Sequence, residues 1–184
     1  MKNMVNFKHL GKLSSNKFLW VVEKRIKKSI RKNYDLKKDV KLVVFDDLSE
    51  YVLRSVIKTP FEMIRKSKSF FGVKNIDETI FENKKLGDFL KKNKAFVVLP
   101  WTLDHEIILF MKNMSKIKEK KKYIKLLKDV LEEEIIEYAK LRGLSYTKIK
   151  KSDEKEFLDK LGNKHAETKF SLVKSVGVLR EIDS

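Results

Sequence analysis

Lys41-Leu42-Val43-Val44-Phe45-Asp46-Asp47-Leu48-Ser49-Glu50-Tyr51 is the stretch whose reading decides the fold. Leu42 to Phe45 are consecutively apolar, without the alternation of a half-wet strand. That pattern belongs to a strand buried on both faces, as in a parallel sheet. The two aspartates close it, and Tyr51 to Ile57 then reads as a helix packing Val52, Leu53, Val56 and Ile57 before Thr59-Pro60 breaks it. Upstream, Asn16 is a suitable N-cap for a helix to about Asn33, with Leu19, Val22, Ile26 and Ile30 on one face. Lys24, Arg25, Lys27, Lys28 and Arg31 make that helix basic. Downstream, residues 61–81 fit neither period, and Phe61, Ile64, Phe70, Phe71 and Phe81 are their core candidates. A short helix follows from Leu86 to Asn93. Ala95-Phe96-Val97-Val98-Leu99 is a second buried strand, ended by Pro100, and Asp104 caps a helix to about Met114. Residues 115–122 form a basic loop, and 123–131 read as strand or helix. Helices follow over Glu132–Leu141, stopped by Gly143, then 154–161 and 166–180. Strand–helix–strand–helix alternation indicates an α/β parallel sheet.

The chain has 184 residues, enough for one domain with a core. It carries 43 Lys and Arg against 26 Asp and Glu, a formal charge of +17. An excess of that size implies a polyanionic partner, nucleic acid first and an anionic membrane surface second. A Lys-rich composition without that meaning is the plain alternative. Cysteine is absent, which excludes a disulfide framework, a thiolate nucleophile and an iron–sulfur cluster ligated by this chain. His9, His105 and His165 have no zinc spacing. No apolar run approaches the ~20 residues that cross a membrane, and the start lacks a signal-peptide core, so the expected location is cytoplasmic.

Five segments stand in a telling order: Glu23 to Arg31, Leu42 to Phe45, Leu99-Pro100-Trp101-Thr102-Leu103-Asp104-His105-Glu106, Leu131 to Lys140, and Gly162 to Ser175. This order resembles the PP-loop ATP pyrophosphatases that thiolate tRNA, the 2-thiouridine and 2-thiocytidine synthetase group. The family has a basic helix, a strand delivering a Ser-Gly-Gly-Lys-Asp-Ser loop, a Gly-His-Asn-Leu-Asp-Asp-Glu motif, a Glu-rich turn into a Tyr-Ala helix, and a Glu-x-Lys-His-Pro-x-Thr-Lys-Phe-x-Leu-Leu-x-Ser ending. The resemblance spans most of residues 20–180. It implies a Rossmann-like sheet of the PP-loop (adenine nucleotide alpha hydrolase-like) type. The interval between Asp46 and Asp104 is short for that family, which implies fewer strands. The expected organisation is a flexible arm over 1–15 and one domain over 16–184, with a helical part from about 132 to 184.

The departures from the family carry the functional reading. Asp46, Asp47, Leu48, Ser49, Glu50 and Tyr51 stand where the phosphate loop should be, with no glycine and three carboxylates. Phosphates are held by backbone N–H groups on glycine-permissive turns. Like charges ~4 Å apart repel by roughly 1 kcal/mol in water and more near protein. The resemblance therefore implies a non-catalytic homologue in tRNA 2-thiolation, a tRNA binder or a partner subunit of an active enzyme, with no cofactor expected. Its partners would be tRNA and an active PP-loop paralogue or a second copy, not a membrane. Expected phosphate contacts are Lys24, Arg25, Lys27, Lys28, Arg31, Lys116, Lys118, Lys120, Lys121, Lys122, Lys164, Lys169 and Lys174. Asp104 reads as a helix cap and His105 as a surface or helix-end residue. Trp101 packs in the core or stacks on a base. Two alternatives stand beside this reading. One is a metal-dependent nucleotide-handling enzyme that binds Mg²⁺ and ATP or AMP through Asp46, Asp47 and Asp104. The other is a general basic nucleic-acid-binding protein.

Overall fold

The computed structural model of the protein describes residues 4–36, 39–58, 61–113, 122–164 and 167–182. Strands β1 (Met4–Phe7) and β2 (Gly11–Ser14) form an antiparallel hairpin. The expected arm over 1–15 is thus structured from Met4 onward: Val5 is buried, and Phe7 stacks on Phe18 at 5.4 Å between ring centroids. Helix α1 (Ser15–Asn33) starts two residues earlier than expected, because Ser14 rather than Asn16 caps it by accepting the Lys17 N–H. Its apolar stripe, Leu19, Val22, Ile26 and Ile30, is buried as read from the spacing, together with Phe18.

The main sheet has four parallel strands in the order β4-β3-β5-β6. They are β3 (Lys41–Val44), β4 (Glu62–Arg65), β5 (Ala95–Thr102) and β6 (Tyr123–Leu127). After β3 come helix α2 (Asp47–Tyr51) and a π-helical turn, Val52–Ile57, that ends at Lys58 with φ 59°. Thr59 and Pro60 lie outside the described residues. β4 was not legible in the sequence: it is an edge strand with exposed Glu62 and Arg65, so no apolar run marks it. Pro100 does not end β5. The strand continues through it to Thr102, with a register shift against β6 between Leu99 and Thr102. Proline offers no N–H to a ladder and is tolerated where the pairing is bulged.

Both faces of this sheet are covered, as continuous apolar strands require. Leu42 and Val44 of β3 and Val98 of β5 face a core shared with α1 and with α5 (Glu132–Arg142). Val43, Phe45, Val97, Leu99 and Trp101 face the other way, with Phe71, Phe81 and helix α3 (Lys84–Lys92). A third cluster joins α4 (Leu103–Asn113) to α6 (Asp153–Lys164), through Leu103, Ile107, Ile108 and Leu158, with Leu131. Helix α7 (Thr168–Ile182) packs Phe170, Leu172 and Val173 against it. Gly143 ends α5 with φ 66°, the left-handed stop expected there.

Candidate functional site

β3 is followed by β4 on one side and by β5 on the other. Between the carboxyl ends of β3 and β5 the connections diverge, the place where open α/β sheets leave a crevice. A cavity of about 310 Å³ lies there. Phe45 and Asp46 come from the end of β3, Pro100 and Trp101 from the end of β5, and His105 and Leu109 from α4. The segment Ser145–Ser152 completes it and contributes Tyr146, Lys148, Lys150 and Lys151. Glu132 pins that segment, since its carboxylate accepts the Ile149 N–H at 2.6 Å.

The anion position at the start of α2 is already filled from within. Asp46 accepts the Ser49 N–H at 2.7 Å and the Ser49 hydroxyl at 3.0 Å. Asp46 is thus the N-cap of α2. Burial raises the Asp46 pKa, while the two Ser49 bonds and the charge of Lys68 pull it down. Asp47 and Glu50 turn to Arg65 at 2.5 and 2.7 Å, and Arg54 also binds Glu50. These bonds hold Glu50 below its ordinary pKa.

Asp104 does not cap α4. It is fully buried, and its carboxylate accepts the Glu132 N–H at 2.7 Å, at the start of α5, and the Lys169 ammonium at 2.6 Å. Asp46, Asp47 and Asp104 therefore have three separate sets of partners. Among the described residues no group of three His, Asp or Glu side chains could hold a metal ion. The three aspartates expected to share a metal under the alternative reading are not gathered into one group. Nearby, Lys155 bridges Glu132 at 2.9 Å and Asp159 at 2.5 Å, and Lys169 lies 3.4 Å from Asp159.

His105 is buried, not at the surface. Its Nδ1 accepts the Thr102 N–H at 3.1 Å and sits 2.8 Å from the Thr102 hydroxyl. The ring reaches back from the third helical position as a glutamate does in a capping box. Burial pushes its pKa down to about 4, against the opposing charges of Asp104 and Glu106 and a hydrogen bond to the Ile76 backbone. With both sides of the ring engaged, a neutral His105 is a structural strut rather than a base. Trp101 is core, 4.9 Å from the His105 ring and 5.1 Å from Phe81 between centroids. Its indole N–H has no hydrogen-bond partner among the described residues. The Tyr146 hydroxyl is buried near Thr102 and Glu132 without a well-formed bond to either, and burial raises its pKa.

The expected phosphate contacts separate into groups. Lys24, Lys28 and Arg31 are exposed on α1, with Lys27 half-buried beside them. Arg25 lies on another side of the helix, where it binds Glu134 with both oxygens at 2.8 and 2.9 Å. Glu134 is fully buried, takes His9 at 3.0 Å, and accepts the Leu131 N–H at the start of α5. Lys169 leaves the phosphate set, since it is buried against Asp104. Lys122 donates to the Leu90 carbonyl. Lys164 and Lys174 are exposed on α6 and α7. Lys116, Lys118, Lys120 and Lys121 lie outside the described residues. Sequence reasoning missed Trp20, which is 52% exposed on the cationic side of α1, with Lys17 Nζ 4.5 Å and Lys24 Nζ 4.8 Å from the ring centroid. The signal was available: Trp20 falls outside the apolar stripe, at i+3 from Lys17 and i−4 from Lys24.

No protein-family model matches the sequence, and no curated protein matches it either. Among solved structures, the fold is similar to that of the U34-tRNA thiolase NcsA from Methanococcus maripaludis, solved with its 4Fe–4S cluster. The TM-score is 0.69 at 16% identity, over 93% of this chain and 82% of that one. Such clusters are held by cysteine thiolates, and this chain contains no cysteine, so its residues do not fit that group. What the two proteins share is an α/β, Rossmann-like fold, here with a parallel sheet of four strands among the described residues.

Proposed function

We propose that this chain is a non-catalytic relative of the thiolase fold that works in tRNA 2-thiolation by binding tRNA in the cytoplasm, beside an active, cysteine-bearing paralogue or a second copy of itself. The observation that carries the non-catalytic half is the Asp46 carboxylate seated on the Ser49 N–H, where a nucleotide phosphate would need to be. The helix start supplies its own anion, so a triphosphate there meets repulsion and finds the Ser49 N–H already bonded. The tRNA half is supported by the formal charge of +17 and by the exposed cations of α1, together with a fold like that of a tRNA thiolase.

The test is a titration of a tRNA transcript with the full-length protein and a Lys24→Ala/Lys28→Ala/Arg31→Ala variant, followed by fluorescence anisotropy at several salt concentrations. Each cation that contacts phosphate contributes about one ion to the salt dependence. The variant should bind more weakly, with a salt slope shallower by about two to three. Unchanged affinity and slope would remove α1 from the interface. Pyrophosphate release from ATP by the purified protein would refute the non-catalytic half.

A further inference from the structure

The apolar residues of α1 face inward, where Phe18, Leu19, Val22, Ile26 and Ile30 are buried in the core. Trp20 does not belong to that face. It stands 52% exposed among cations, with two ammonium groups within 5 Å of its ring. Lys17, Trp20, Lys24, Lys28 and Arg31 follow one another at intervals of three and four, so they form a single stripe on the helix surface. From Lys17 to Arg31 that stripe runs about 21 Å, the length of several stacked nucleotides. A large flat ring in the middle of a row of cations is the arrangement by which proteins hold unpaired nucleotides, with phosphates on the charges and a base on the ring.

We propose that Trp20 is a base-stacking residue, and that α1 takes an unpaired nucleotide of an RNA onto the indole while Lys17, Lys24, Lys28 and Arg31 hold the flanking phosphates. The inference rests on the RNA-binding reading above and adds which part of the RNA is held. Base faces within a duplex are covered by their neighbours, so a stacking ring selects loops and single strands. The ammonium groups of Lys17 and Lys24 now lie near the indole. An exposed cation–π contact is weaker than a base stack, so a nucleotide displaces them toward its own phosphates. An anionic membrane suits this surface less well. Interfacial helices present a broad apolar face, and the apolar face of α1 is already inside the protein.

The experiment compares the wild-type protein with Trp20→Ala and Trp20→Phe. The probes are a tRNA transcript, a short single-stranded RNA, the duplex of that RNA with its complement, and phosphatidylserine-containing vesicles. The chain has two tryptophans, and Trp101 is buried, so accessible emission comes from Trp20. Single-stranded RNA and tRNA should quench that emission, and Trp20→Phe should abolish the quench. Trp20→Ala should weaken single-strand binding by roughly 5- to 100-fold. Duplex affinity and the salt slope should stay unchanged, since no charge is removed. Trp20→Phe, which keeps a flat ring, should recover part of the affinity. Equal affinity of wild type and Trp20→Ala for single strands would overturn the proposal. So would an equal loss on duplex, or a loss confined to vesicles. If the wild-type protein bound no RNA of any form, the RNA-binding function itself would fall with it.

Discussion

Replacing Asp104 by Asn tests whether the Asp104–Lys169 pair is structural, as its burial implies, or part of a binding site. The side chain keeps its shape and an oxygen for the Glu132 N–H, but loses the charge facing Lys169 at 2.6 Å. Lys169 is then a buried ammonium whose nearest counter-charge is Asp159 at 3.4 Å, with the exposed Glu133 also within reach of its charge. Removing one partner of a buried ion pair costs about 3–5 kcal/mol. Asp159 offsets part of this, though its side chain is 47% exposed and its charge is screened, which leaves about 3 kcal/mol. In a chain of this size each kcal/mol moves the melting midpoint by about 2–4 °C, so Asp104→Asn should melt roughly 6–12 °C lower. The assay is thermal unfolding followed by far-ultraviolet circular dichroism, run beside Lys169→Met and the double variant. Removing the orphaned ammonium as well should make the double variant's loss smaller than the sum of the single losses by about 2 kcal/mol. Two results would refute the reasoning. One is a midpoint for Asp104→Asn within about 2 °C of wild type, less than 1 kcal/mol on the same scale. The other is a Lys169→Met variant that loses RNA affinity without losing stability.

The buried ring of His105 and the clamp at Glu134 give two further expectations. His105 titrates near 4 when folded, against 6.5 for an ordinary histidine, so the unfolded chain binds more protons between those values. Its contribution to stability is complete above about pH 6.5, declines as the pH falls, and levels off below about pH 4, with a total near 3 kcal/mol. Urea unfolding from pH 7 to 4.5 should show a shallower decline for His105→Gln than for wild type, and parallel curves would disprove the assignment. Glu134→Gln removes the charge that holds Arg25 and His9 together at a fully buried position. It should lower unfolding stability by about 2–4 kcal/mol, and amide exchange in the β1–β2 hairpin should accelerate most; unaltered exchange there would mean that the clamp does not hold the hairpin.

The elements with one strong apolar pattern, a continuous run or a helical stripe, were readable. Leu42–Phe45, Ala95–Leu99 and the stripe of α1 announce themselves because burial on two faces or on one stripe leaves a pattern in the chain. β4 left none, since an edge strand presents charge outward and buries little. Pro100 reads as a stop in the sequence, which carries no sign of the bulge that lets β5 run past it. The run of carboxylates at the end of β3 was legible in the chain, although the two bonds by which Asp46 engages Ser49 were not. Charge counting was least discriminating. Lys24 and Lys169 are the same residue type, and only the fold separates a solvated ammonium from one that neutralises a buried aspartate. The Ser145–Ser152 segment that closes the cavity has no period at all, so nothing in the chain connects it with the end of β3.

The bond from Arg25 to Glu134 joins residues 109 apart in the chain. A ribosome adds about 5–20 residues per second, so α1 is complete roughly 5–20 s before the carboxylate that clamps it has been made. In that interval Phe18, Leu19, Val22, Ile26 and Ile30 have neither β6 nor α5 to pack against, and the parallel pairing of β3 with β5 waits for residues 95–97. The first half of this protein therefore leaves the ribosome with α1 able to meet Leu42, Val44, Leu48, Val52 and Val56, but without the β6 and α5 residues that complete that core. That core can close only once the last third of the chain, which carries β6 and α5, has emerged.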